Sequence, residues 1–424
     1  MKVEGEYQIC IVGGGASGLV AAIASATSSP EKKIVILEKN GSLGRKLAVT
    51  GNGRCNLSNL KCENWERTAA FFSSLGIMTR QDSEGRIYPY SEDAKDVVEC
   101  LKRSALLRGV EIKTNWPVTE ILPWGECDSS AEDRRVPAKK KFLIRNADGD
   151  EILAEKVLIA TGGKSAPTYG TTGDGYIMAR ALGHAVGRLA PSLTAVECRE
   201  TYKELSGTRS KARVTLYRSG LEVCQEQGEV QFTDYGLSGI CIFDLTKEMT
   251  VPDGVNPSEA LTEYEIGIDF IPEMTEQEVE LWLHDQPTSP REALRSVVKG
   301  PVAEALIRTA LEGQHADGPN GQHDDASFAG QHGHEQLTDL NGLIAGKIKD
   351  WRFQVKNLRG WQYAQVTKGG VPLSEVDPDT MESKIIPNLF FSGEVLDYDG
   401  PCGGFNLQFA WTTGLKAGKG LGQE

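Results

Sequence analysis

One stretch near the N-terminus constrains the fold more than any other. Residues 7–12, YQICIV, read as a short buried strand. Gly13-Gly14-Gly15-Ala16-Ser17-Gly18 follow it directly and fit G-x-G-x-x-G at Gly13, Gly15 and Gly18. A helix-like stretch over 19–26 is stopped by Thr27-Ser28-Ser29-Pro30, and 33–37 make a second buried strand that runs into Glu38. In that order each part has its own role at a dinucleotide. Gly13 permits the tight turn, Gly15 lets backbone approach a pyrophosphate, and Gly18 allows the helix to pack closely on the strand. The first helical turn, with Ala16 and Ser17, offers N–H groups and a positive dipole to the phosphates. Glu38, 20 residues past Gly18, is placed to accept hydrogen bonds from an adenosine ribose, with Lys39 beside it. A carboxylate there repels a 2′-phosphate, so NADP is disfavoured at this turn. These residues alone leave FAD and NAD both open.

A second glycine cluster, GSLGRKLAVTGNGRCN over 41–56, carries Arg45 and Lys46, cations that can face a pyrophosphate or the flavin side of a dinucleotide. Residues 110–114 and 118–122 alternate like strands, and 142–145 with 151–154 read as a hairpin. Another buried strand, 156–160, closes into Thr161-Gly162-Gly163. The far end of the chain separates the two cofactors. Residues 388–392, NLFFS, lead into Gly393-Glu394, and Gly400-Pro401-Cys402-Gly403-Gly404-Phe405-Asn406-Leu407-Gln408 open a helix that runs through about residue 414. An acid at a strand end can take ribityl hydroxyls, and helix N–H groups can stabilise negative charge at the pyrimidine end of a reduced flavin. A second such site, returning from the far end of the chain, favours FAD.

Six blocks, spread over most of 7–420, resemble the BaiN/YhiN-type flavoprotein family: IVGGGASGLVAA, GRKLAVTGNGRCNLSN, ATGGKSAPTYGTTGDGY, GEVQFTDYGLSG, TKGGVPLSEVDPDTMESK and GEVLDYDGPCGGFNLQFAWTTG. Members of that family are described as NAD(P)/FAD-dependent oxidoreductases, some as aminoacetone oxidase-like. The resemblance implies FAD held by the glycine turn and Glu38, by Arg45 and Lys46, and by Gly51, Asn52, Gly53, Arg54 and Cys55 of the GNGRCN loop. It extends the set to Thr161 and Gly162 at the cofactor's rim, and to Gly393, Glu394, Gly404, Asn406 and Leu407. Val118, by the same resemblance, meets the adenine side through its backbone. Two features depart from the family pattern. Asp234 stands where a histidine is common, and 314–336, QHADGPNGQHDDASFAGQHGHEQ, is polar and repetitive. His315, His323, His332 and His334 lie in that segment, but no apolar frame surrounds them, so it reads as a disordered surface insertion and no metal is expected.

Composition narrows the class. Eighteen of the 47 glycines fall in 13–18, 41–53, 162–175 and 393–414, so the glycine excess is local to the segments expected to face the cofactor. Forty-six basic against 59 acidic residues give a net charge of −13, a poor match to nucleic acid. The one basic cluster, Arg134-Arg135 to Lys139-Lys140-Lys141, adjoins Glu132 and Asp133 and reads as a solvated hairpin. Nine cysteines without a CxxC or zinc spacing suit reduced thiols in the cytoplasm. No apolar run approaches the length of a membrane span, and MKVEGEY does not read as a signal peptide.

The expected fold class is α/β: a Rossmann-like FAD-binding domain in two segments, 1–190 and 365–424, with an inserted mixed β-barrel/helical substrate or lid domain over 191–364. Within the insertion, 211–217, 221–225 and 229–232 read as strands and 236–239 as a turn. Thr275 with Glu278 and Ser289 with Glu292 form capping boxes that open helices over 276–285 and 290–312. A third helix is expected over 337–349 and a strand over 351–356. No second G-x-G-x-x-G precedes a βα pattern, so NAD(P)H is expected only as a transient electron donor.

Flavin chemistry belongs largely to the cofactor, which makes side-chain catalysis hard to place. Cys402, Tyr398, Tyr169 and Tyr235 are the candidate catalytic residues, with Asp399 a further possible contact. The leading reading is a reductase of a small organic substrate. Its concrete version, drawn from the family resemblance, is reduction of a conjugated C=C in a steroid-like or bile-acid-like enone. The alternatives are an oxidase of a small amine and, in another class, a flavin-containing binding or RNA-associated factor.

Overall fold

The computed structural model describes residues 3–124, 141–252, 254–316 and 333–423. The chain divides into two compact units, Met1–Ser192 with Trp361–Glu424, and Leu193–Gly360. The expected boundaries lay at 190/191 and 364/365, two residues before the first of these junctions and four past the second.

The first unit is built on one sheet. Val3–Val12, Ile34–Leu37, Glu111–Lys113 and Glu151–Ile159 run parallel, with Val3–Val12 between Ile34–Leu37 and Glu151–Ile159. Residues 151–154 and 156–160, read as separate strands, are one strand, because nothing in Glu155-Lys156 interrupts the extended backbone. Its first half pairs antiparallel with Lys141–Asn146, which pairs in turn with Val118–Trp124. Its second half pairs in parallel with the returning strand Leu389–Phe391. Ile9, Cys10 and Ile11 have no exposure, as expected of a strand covered on both faces.

The helices Ala16–Ser28 and Phe405–Gly422 pack on each other at very short range. A Cβ on Gly414 would meet Ser17 O at 2.6 Å, and one on Gly418 would meet Ala24 Cβ at 2.6 Å. The chain's two ends are thus joined where side chains are smallest. Trp411, fully buried, donates to Leu57 O at 2.8 Å and packs edge-on to Phe72.

The second unit is a closed six-stranded barrel in the order Val196–Cys198, Gly236–Ser238, Leu221–Phe232, Arg209–Arg218, Tyr264–Asp269 and Trp351–Leu358. Alternate residues fill it, with Trp351, Phe353 and Val355 buried on one strand and Tyr264, Ile266 and Ile268 on its neighbour. The sequence reading had split Leu221–Phe232 in two, missed Tyr264–Asp269, and taken as a turn the strand Gly236–Ser238 that precedes the helix Ile240–Thr246. Both capping boxes form, at Thr275 and Ser289. The helix expected over 290–312 is two, Pro290–Leu294 and Gly300–Ala316, with Gly300 opening the second. Of 314–336, the backbone is helical to Ala316 and again from Gly333, where Gly333–Lys349 begins. His323 and His332 lie outside the described residues, as do Arg134, Arg135, Lys139 and Lys140 of the basic cluster. No helix among the described residues is long and apolar enough to cross a membrane.

Candidate cofactor site

Register sets the place of the site. Val12 pairs with Leu37 and Ile159, and Ile159 pairs with Phe391, so four parallel strands end level with one another. Each continues into a segment singled out from sequence: Gly13, Glu38, Thr161 with Gly162, and Gly393 with Glu394. Ligands of open α/β sheets bind at this carboxyl edge.

The turn after the first strand leaves no room for side chains. Gly13 has φ +109°, and a Cβ on Gly18 would stand 2.0 Å from Gly13 O. Gly15 differs, because a Cβ there would meet nothing within 4 Å. Its surroundings are open, as close approach of a ligand to backbone requires. No side chain caps the helix that starts at Ala16, nor the one that starts at Phe405 behind Gly404. Two long helices therefore present main-chain N–H groups without a capping side chain. In this unit, the buried acceptors Asn56 Oδ1 and Ser392 Oγ have no protein partner among the described residues. Open glycine backbone, uncapped helix ends and orphaned acceptors fit a polar dinucleotide such as FAD.

Glu38 is almost wholly buried, and its carboxylate accepts three hydrogen bonds. Gly14 N–H donates to Oε2 at 2.9 Å, while Asn40 N–H and Nδ2 donate to Oε1 at 2.9 and 2.6 Å. Asn40, which sequence reasoning missed, also accepts from Arg45 Nη1 at 2.7 Å. Arg45 Nη2 reaches Thr168 O at 3.0 Å, and Lys39 pairs with Asp174 and Thr172. The loop after Glu38 is thereby clasped to the loop after Thr161. Two residues past the strand-end acid, the main-chain N–H of Asn40 folds back onto the carboxylate. Val118 is buried at the start of its strand and pairs with Asn146. Trp116, two residues earlier, donates its main-chain N–H to Glu38 O at 2.9 Å.

The flavin-side candidates gather around Glu394. Lys46 Nζ lies 2.7 Å from Glu394 Oε2, and Thr367 N–H donates to Oε1 at 2.9 Å. Ser17 Oγ donates to Ser392 O, and a Cβ on Gly393 would strike Ser17 Oγ at 2.5 Å, so the first glycine turn and the C-terminal strand end meet directly. Ala16 and Leu407 are partly buried against the unit's core. Gly51, Asn52, Gly53 and Cys55 all adopt positive φ, which folds the GNGRCN loop tightly. Burial pushes the Cys55 thiol up to about 12, and Arg54 lies over the Tyr88 ring at 4.9 Å. Asn406 braces its own loop: its Oδ1 accepts from Gly400 N–H at 2.9 Å and its Nδ2 donates to Gly400 O and Pro401 O.

The catalytic candidates divide between the units, Tyr398, Cys402 and Tyr169 in the first and Tyr235 in the second. Tyr398 stacks on Phe409 at 4.1 Å, and burial, with Cys62 and Asp399 nearby, pushes its hydroxyl above the usual phenol range. Cys402 Sγ is 3.9 Å from Gln365 Oε1. Tyr169 sits on the short turn Pro167–Tyr169 and is exposed. Tyr235 belongs to the second unit, its ring 4.1 Å beneath the Arg359 guanidinium. No group of three or more metal-ligating side chains occurs among the described residues.

Comparison with known proteins gives this geometry a family. The HI0933-like protein Rossmann domain model matches residues 7–68 and 61–420. The 3-dehydro-bile acid delta(4,6)-reductase of Clostridium scindens is 33% identical over 433 aligned positions, covering 97% of this chain and 98% of the relative. The ribosomal RNA dihydrouridine synthase of Haemophilus influenzae is 25% identical, with 95% of each chain covered. Among solved structures, a 3-ketosteroid delta1-dehydrogenase from Sterolibacterium denitrificans shares the fold at a TM-score of 0.50 and 12% identity, over 98% of this chain and 99% of that one. With a family model matching nearly end to end and a full-length relative above 30% identity, the chain belongs to the HI0933-like family of FAD-dependent oxidoreductases.

Proposed function

We propose that the chain is a cytoplasmic reductase, using NAD(P)H as a transient donor, of a carbon–carbon double bond conjugated to a carbonyl in a small organic substrate. The observation that carries this reading is the full-length relative that reduces a 3-dehydro-bile acid. When bound, FAD supplies hydride chemistry for the β-carbon of such a system. The chain's own residues bind and orient. Glu38 and the backbone at Gly13–Gly15 hold the adenosine end, the N-terminus of Ala16–Ser28 takes the pyrophosphate, and Glu394 takes ribityl hydroxyls. The N-terminus of Phe405–Gly422 would hold the pyrimidine end and stabilise negative charge there. Tyr398, on the loop between Glu394 and the helix Phe405–Gly422, is the phenol assigned to protonate the α-carbon.

A second reading follows from the dihydrouridine synthase relatives. The uracil C5=C6 bond is likewise conjugated to a carbonyl, so the reaction class is the same and only the substrate differs. The net charge of −13 favours the small molecule over a polyphosphate chain. Anaerobic reduction of the holoprotein by NADH and NADPH, followed by reoxidation with a 3-oxo-Δ4 steroid or bile acid, a uridine-containing RNA, or air, separates the readings. Reoxidation by the enone supports the proposal. Reoxidation by RNA alone, or peroxide formation with an amine, replaces it. A purified protein that binds no FAD sinks all three.

A further inference from the structure

Three distant segments meet at one carboxylate. Glu394 Oε2 is held by Lys46 Nζ at 2.7 Å, from 348 residues earlier, and Oε1 by Thr367 N–H at 2.9 Å. Lys46 directly precedes the short helical turn Leu47–Gly53 that leads into the GNGRCN loop. Thr367 is fully buried, and its Oγ1 accepts from Lys164 N–H at 2.8 Å and Ser165 N–H at 3.1 Å. A Cβ on Gly163 would stand 2.6 Å from Glu394 Oε1, so that glycine leaves the carboxylate its place. A carboxylate gripped at both oxygens has one orientation, and its remaining lone pairs have fixed directions. The Lys46 and Glu394 side chains are 22% and 19% exposed, so solvent screens the pair far less than a surface ion pair.

We propose that Lys46 and Thr367 are positioning residues that act on the cofactor through Glu394, and that Lys46 is not a phosphate ligand. The proposal rests on FAD occupying this sheet edge. Arg45, its neighbour, serves a different purpose, bracing the adenosine side through Asn40 and Thr168. If Lys46 works only through Glu394, removing both side chains costs about as much as removing one, because coupled groups do not add. If Lys46 instead grips the pyrophosphate, the losses add.

The test titrates full-length, flavin-stripped protein with FAD, and separately with ADP, which carries the adenosine and two phosphates but no flavin. Tight FAD binding by the unaltered protein establishes the cofactor first, and its absence would sink that reading rather than this one. Lys46→Met and Glu394→Gln should each weaken FAD about tenfold. The double variant should fall within about twofold of the weaker single, as expected for a shared role. ADP binding should stay unchanged in all three. The bound flavin's visible bands should shift alike in Lys46→Met and Glu394→Gln, and Lys46→Arg should recover most of the affinity. Thr367→Val, which frees the anchor at Lys164 and Ser165, should shift the same bands. Additive losses, an equal loss of ADP binding, or unchanged FAD affinity in Lys46→Met would overturn the proposal. Melting of each apoprotein reports folding, and Lys46→Gln carries the same comparison should Lys46→Met fail to fold.

Discussion

Each unit holds both capped and uncapped helices, and the difference lies in where the uncapped ones start. In the barrel unit Asn256, Thr275 and Ser289 each cap a helix with a side-chain hydrogen bond, two of them in full capping boxes. In the sheet unit the helices behind Gly15 and Gly404 have no such cap, although Asp93 caps Ala94–Leu107 in the same unit. A capped terminus directs its N–H groups to its own chain and contributes to stability. An uncapped one at a carboxyl sheet edge keeps those groups for a ligand. Behind Gly15 and Gly404, where the uncapped helices start at the carboxyl sheet edge, those N–H groups are left for a ligand.

The contrast can be broken at several points. The largest effect is expected for Trp351→Ala, which empties the aromatic cluster with Phe353, Phe232 and Tyr202. Loss of a buried tryptophan costs about 3–5 kcal/mol. Denaturant melts should show it, while FAD affinity below the melt stays unchanged; a parallel loss of FAD binding would erase the division of labour between the units.

Gly18→Ala should cost about 1–3 kcal/mol from overpacking against Gly13 O. FAD should be lost with it, read as absent yellow colour after purification. Glu38→Gln removes a charged acceptor of three hydrogen bonds. It should weaken FAD by about 2 kcal/mol, roughly thirtyfold by titration. Ser289→Ala should lower stability by about 1 kcal/mol with no change in FAD affinity.

Taken thiol by thiol, the smallest effect is expected from alkali, and it strikes both units. Burial pushes the thiols of Cys55 in the sheet unit and Cys198 and Cys241 in the barrel up to about 12. Their folded pKa lies above the unfolded value, so this stabilisation is complete below about pH 8.5 and is lost as pH rises toward 12. Between pH 7 and 9 the loss should be just under about 1 kcal/mol per thiol, visible as a falling melting temperature. A melting temperature that rises over this range would contradict the burial of these thiols.

How much was legible in advance differs between the units for the same reason. The sheet unit's strands end in glycines and acids because backbone must approach a ligand, and such residues are conspicuous in sequence. The barrel's strands are filled by side chains whose only requirement is to be apolar and inward. Leu221–Phe232 shows this: its first nine residues, LEVCQEQGE, lie largely exposed, and their mixed pattern gave no sign of one long strand. Ile240–Thr246 was missed because seven residues offer too few turns to declare a helical period. Asn40 and Thr367 were missed for another reason. Each contributes main-chain N–H as well as its side chain, and no residue type advertises a main-chain donor.

The amino-acid order by itself determined the βα glycine turn, the acids Glu38 and Glu394 at two of the strand ends, the capping boxes, and the assignment to a flavoprotein family. These depend on neighbours within a few residues and on local steric limits. Tertiary structure alone decided that Lys46, Thr367 and Glu394 share one junction, and that Asn406 braces the Gly400-Pro401 loop. It also decided that the chain's two ends join helix to helix through Gly414 and Gly418. Those contacts span tens to hundreds of residues, and their geometry is set by sheet register and close packing, which no local pattern encodes.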